Sequence, residues 1–157
     1  MLTKEFYQIV KEHLAAGGVL AQNVEPSTML FDSDVNTLHE VFSQIEFYDA
    51  SGTDRGGNVV LVAYNGDALG LSDLSRLAEQ LQSRYSLRYD VREMLGHRFM
   101  LKPVIAGGKV TFDVVDQTGT STAGIDENAK VLTDDFAPVD ALKAIENHNH
   151  KWATTSQ

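Results

Sequence analysis

Apolar residues recur at helical spacing from the first turn of the chain: Leu2, Phe6, Ile9, Val10 and Leu14 share one face, with His13 among them. Thr3 stands where an N-cap is wanted, Glu5 falls in the first turn, and Gly17 is placed to end the helix. Gly17 and Gly18 release the run Val19-Leu20-Ala21-Gln22-Asn23-Val24, which reads as a strand buried on both faces in a parallel sheet and is ended by Pro26. A second helical stripe, Val35, Leu38, Val41 and Phe42, follows Ser33 as its expected N-cap, and Ile45-Glu46-Phe47-Tyr48 reads as the next strand. Turn residues over 51–57 lead into Asn58-Val59-Val60-Leu61-Val62-Ala63-Tyr64, the most strand-like segment of the chain, closed by Asn65-Gly66.

That order constrains the topology. The connection over 51–57 carries no helical pattern and is too short for a parallel crossover, so the third strand should run antiparallel to the second. A right-handed crossover between the first two strands leaves room for the third to insert between them. The expected fold class is therefore α/β with a mixed sheet whose last strand is antiparallel. Beyond Gly66 the pattern predicts a helix through Leu74, Leu77, Leu81 and Tyr85, then a short one from Val91 to Leu95 begun by Asp90 with Glu93 three residues on. A hairpin or excursion is expected around 110–115, a mobile loop over the Gly- and Thr-rich residues 117–124, and a last helix from Pro138 carrying Val139, Leu142 and Ile145. Residues 1–66 read as one half of an α/β domain and residues 67–157 as an extension packed on it, in a single structural domain.

Composition narrows the chemistry. The chain has 157 residues, 43% of them hydrophobic, enough for one core. A formal net charge of −9 and a pI near 4.9 argue against a nucleic-acid partner and suit a small cationic substrate, although an acidic balance also serves solubility. Without cysteine there are no disulfides, thiolate metal sites or thiol nucleophiles. No signal-peptide pattern and no membrane-length apolar run occur, so a cytoplasmic chain without direct membrane insertion is expected. The sequence has no G-x-G-x-x-G turn, G-x-S-x-G or H-E-x-x-H.

Four pieces carry a resemblance: Leu2-Thr3-Lys4-Glu5-Phe6-Tyr7; His13-Leu14-Ala15-Ala16-Gly17-Gly18-Val19-Leu20; Gly57-Asn58-Val59-Val60; and Val131-Leu132-Thr133-Asp134-Asp135-Phe136-Ala137-Pro138. In this order they resemble the carboxy-terminal half of spermidine synthase-like proteins, the polyamine aminopropyltransferases, especially the bacterial branch fused to a transporter-like membrane module. The resemblance implies a class I methyltransferase-like, Rossmann-like α/β sandwich. It also implies transfer of an aminopropyl group from decarboxylated S-adenosylmethionine to an amine such as putrescine, and membrane association only through a transporter-fused parent. The family's glycine loop and catalytic aspartate lie before the helix that opens this chain. No residue here matches them, so no catalytic residue is assigned, and the chain alone is not expected to bind either form of the cofactor. Two rival readings are a non-catalytic remnant or split half that pairs with a second copy or with the upstream half, and a fragment of an S-adenosylmethionine-dependent methyltransferase.

The same resemblance points to substrate-binding residues. Gln22, Asn23 and Glu25 stand at the carboxyl end of the first strand, where open α/β sheets place ligands. The family carries a glutamine and an acidic residue there against the amine, which implicates Gln22 and Glu25; strand-end turn chemistry is the other reading. Tyr48 falls near a family tyrosine beside the substrate, or is an ordinary strand aromatic with its hydroxyl at the rim. Asp134 and Asp135, after Thr133, read either as a carboxylate pair for a cationic amine or as caps for the helix at Pro138. Gly56, Gly57 and Asn58 read as a turn into a strand. His148 and His150 lack a third ligand and belong near the negative end of the last helix, so no metal is expected. Finally, the first strand should have one unpaired edge, covered by residues 110–115 or by self-association.

Overall fold

The computed structural model describes residues 2–26, 28, 30–49, 59–106, 109–126 and 128–135. Helix α1 (Lys4–His13) begins as its sequence dictates: Thr3 is extended and its hydroxyl accepts from the Phe6 N–H at 3.3 Å. The buried face of α1 differs from the expected stripe. Tyr7 and Thr3 are fully buried and Val10 and Leu14 pack against the core, while Phe6 and Ile9 are exposed. The helix ends on an extended Leu14, so Gly17 does not terminate it. With φ of 74° it instead forms the turn in which the Gly18 N–H donates to the Ala15 carbonyl at 2.8 Å.

Strand β1 (Leu20–Val24) follows, and α2 (Phe31–His39) starts three residues before a Ser33 cap would place it. The Asp34 N–H already bonds the Leu30 carbonyl at 2.8 Å, so Ser33 lies inside the helix and its carbonyl accepts from the Thr37 hydroxyl. Strands β2 (Gln44–Asp49) and β3 (Val59–Tyr64) come next, then α3 (Leu71–Arg84) and α4 (Val91–Leu95), capped by the Asp90 carboxylate on the Arg92 N–H. The chain continues as β4 (Arg98–Ala106), β5 (Lys109–Val115) and β6 (Ser121–Ile125).

All six strands join one sheet in the order β1-β3-β2-β4-β5-β6. Insertion of β3 between β1 and β2, antiparallel to β2, is as the sequence predicts. Because β3 separates the two strands that run alike, every neighbouring pair among the described residues is antiparallel and the sheet is not mixed. The 110–115 hairpin forms, but β5 pairs with β4 and β6 at the far side of the sheet and does not cover β1. The expected loop over 117–124 is a tight turn and a strand. The Asp116 carboxylate accepts from the Thr118 and Thr120 N–H groups at 2.8 and 2.9 Å, and β6 follows directly. Pro103 is tolerated in β4 because it lies past the three residues that pair with β2.

Helices α1 and α2 pack on one face of the sheet. Tyr7, Val35, Leu38 and Phe42 meet Val24, Leu61, Ala63, Ile45 and Phe47 in the core. Along β1 burial alternates, with Ala21 and Asn23 exposed, so the strand is covered on one face and not on both. A distant segment ties the helices together. Buried Leu132 accepts from the Lys4 N–H at 2.8 Å and donates its own N–H to the Thr37 hydroxyl at 2.8 Å. The turn over 51–57, the Pro138 helix, and His148 and His150 lie outside the described residues.

Candidate functional site

Three elements converge at the carboxyl end of β1. Strand alternation aims Gln22 at the covered face, α1 presents Tyr7, and the first turn of α2 presents Asp34. Tyr7 Oη lies 2.5 Å from Asp34 Oδ1 and 2.9 Å from Gln22 Oε1, and Gln22 Nε2 donates to Asp34 Oδ2 at 2.7 Å. Tyr7 and Asp34 are 0% and 2% exposed. Burial raises the Asp34 carboxyl to about 6 against the opposing hydrogen bonds from Tyr7 and Gln22. Burial, and then the Asp34 charge, push the Tyr7 hydroxyl far up.

A cavity of about 270 Å³ opens here. Leu2, Val24, Leu30 and Phe31 line it with apolar surface, Gln22 and Asp34 bring the polar ring to it, and Asn23, Glu25 and Thr28 complete the lining. An apolar wall suits a methylene chain, and a carboxyl beside an amide suits the ammonium at its end. The volume lies just below the usual range of ligand sites, so the cavity is a small one.

The structure brings Gln22, Asn23 and Glu25 together, although alternation sets the Asn23 side chain on the exposed face. Tyr48 is placed elsewhere. In the register Tyr48↔Val60↔Asn23 it shares the face opposite Gln22, and its hydroxyl donates to Glu46 at 3.0 Å. There the Glu46 carboxylate also accepts from Arg98 Nε at 2.8 Å, Arg98 Nη2 at 2.7 Å and the Tyr64 hydroxyl at 2.5 Å. Burial alone would raise Glu46, but the hydrogen bonds from Arg98 and Tyr64 and the Arg98 charge outweigh it and hold the carboxyl below its ordinary value. The set is a saturated brace between β2, β3 and β4. Asp134 sits at the start of α1, accepting from the Thr3 hydroxyl at 2.6 Å and donating its N–H to the Glu5 carboxylate at 3.0 Å; Asp135 beside it is exposed. Neither lines the cavity.

Tyr7 and Asp34 are the residues that sequence reasoning missed. Asp34 did leave a signal: with Phe31, Val35 and Leu38 it falls at i, i+3, i+4 and i+7, a carboxyl at a core position. Among the described residues no group of three or more His, Asp or Glu is placed to hold a metal ion. No described helix is long and apolar enough to cross a membrane.

The chain is similar to a polyamine aminopropyltransferase of Vibrio vulnificus (strain CMCP6), 27% identical over 143 residues that cover 91% of this chain and 40% of that protein. The chain thus spans two-fifths of that relative's length. The relationship is distant, and nothing in it speaks for a transporter-fused branch. No family model matches the chain, and no solved structure does.

Proposed function

We propose that this chain forms the amine-binding side of a spermidine synthase-like aminopropyltransferase, in a class I methyltransferase-like domain. The observation that carries the reading is the Gln22–Asp34 pair facing a small, apolar-walled cavity at the carboxyl end of β1. The distant likeness to an aminopropyltransferase supports it. In such a transfer a neutral amine attacks the carbon next to the sulfonium of decarboxylated S-adenosylmethionine; the new C–N bond forms as the C–S bond breaks, and the thioether leaves. The amine must first give up a proton, because an ammonium has no lone pair. This chain's part is to hold the acceptor: Asp34 and Glu25 supply negative charge, Gln22 an amide, and Val24, Leu30 and Phe31 a wall for the methylenes. The net charge of −9 raises the local concentration of a polycation.

Calorimetric titration tests the reading. Putrescine should bind the chain, 1,4-butanediol, its uncharged analogue, should not, and Glu25→Gln should weaken putrescine binding. Equal binding of both compounds, or of neither, rejects the amine site. One feature favours a second reading, a split half completed by another chain: β1 ends the sheet, so one row of its backbone groups has no strand neighbour among the described residues.

A further inference from the structure

The ring of Tyr7, Gln22 and Asp34 has three edges, and each edge needs one hydrogen. Tyr7 supplies one from its hydroxyl. Gln22 uses its oxygen on one edge and its nitrogen on another, and so supplies one more, whichever way the amide is turned. An ionised Asp34 supplies none. The ionised ring is therefore one hydrogen short, so that on one edge two acceptors face each other at hydrogen-bond distance in a part-buried place. The acid proton of Asp34 itself fits the gap, and so does a donor arriving through the cavity that Gln22 and Asp34 line, where the carboxylate charge favours a cationic donor over a neutral one.

We propose that this ring is a proton-or-ammonium site, in which the primary ammonium of an aliphatic amine supplies the hydrogen that Asp34 otherwise carries, so that amine binding in mildly acidic solution releases one proton. The inference rests on the amine-site reading above. The exchange balances: R–NH₃⁺ and the neutral Asp34 acid give R–NH₃⁺ against the Asp34 carboxylate, with the displaced proton going to solvent. The groups facing Asp34 are compatible with it. Tyr7 on α1 stays protonated, Gln22 on β1 is neutral, and Glu25 after β1 adds negative charge at the cavity; by charge, the amino terminus opposes the rise in Asp34. The upward displacement of Asp34 agrees with the count.

Putrescine titrations of the full chain at pH 5 and pH 8, each in two buffers of different ionisation enthalpy, test the exchange. At pH 5 binding should release close to one proton and be about tenfold weaker than at pH 8, where release should vanish. Asp34→Asn keeps the ring complete, since a carboxamide brings its own hydrogen. It should therefore fold normally, lose the pH dependence and bind putrescine far more weakly. Tight binding with no proton release and a flat affinity between the two pH values would overturn this inference alone. No binding to the wild-type chain at either pH would overturn the amine site and the exchange together. Carbon-13 titration of the empty chain adds an independent arm: an Asp34 midpoint near 6 supports the count, and an ordinary carboxylate midpoint overturns it.

Discussion

A buried carboxyl with no ion pair to a Lys, Arg or His side chain among the described residues makes stability depend on pH in an unusual direction. The folded Asp34 titrates at about 6 against an ordinary 3.8, so between those values the native state holds the proton more tightly than the unfolded chain. Its contribution is fully present below pH 4, falls as pH rises, and is lost above 6. Urea denaturation across pH 4–7 should show Asp34→Asn gaining on the wild type by up to about 3 kcal/mol, the gap closing at acid pH. A constant gap would mean that Asp34 is not displaced. Glu46 behaves oppositely, because Arg98 saturates it. Arg98→Met should cost about 3–5 kcal/mol by stranding a buried carboxylate, and Glu46→Leu in the same chain should recover part of it. A single variant as stable as the wild type would remove the brace from the account.

Thr3 shows how one side chain can join elements. It caps α1 and donates to Asp134, two residues past the Leu132 that bonds both helices. Thr3→Ala should cost about 1–2 kcal/mol by thermal or urea unfolding, and Asp134→Ala should add little to it, since the two share one contact. Additive losses would separate them. The elements most legible in the sequence are those with a local cause or a simple chain constraint: α1 and α3 from their periodicity, the Asp90 cap from its side chain, and the insertion of β3 from a short connection and a right-handed crossover. Others were hidden because their cause is tertiary. Which stripe of α1 is buried depends on where Tyr7 finds Asp34, and residues 121–125 look like loop until β5 offers them a ladder. The site divides likewise. Gln22 and Glu25 are readable from their place at a strand end, whereas Tyr7 and Asp34 acquire meaning only when α1, β1 and α2 meet.

At the scale of the molecule, the sheet has two unlike ends. The β1 end presents five short residues whose outer backbone groups lack a strand neighbour among the described residues, and none of them is Lys or Pro. Sedimentation over a range of concentrations should therefore show self-association, reduced by a lysine at exposed Ala21; a monomer at high concentration would contradict it. The other end has a different history built into its connectivity. β4, β5 and β6 are successive antiparallel neighbours, with Ala106 already paired to Lys109, whereas β1 meets β3 only after the chain has closed a loop from Val24 to Val59. Local hairpins close quickly and distant pairings slowly. In pulse-labelled hydrogen exchange during refolding, residues 98–125 should become protected before residues 20–24. The cavity depends on β1, so in that order it should form after the β4–β6 part of the sheet. A chain caught midway through folding would already own most of its sheet and still lack the cavity proposed to hold an amine.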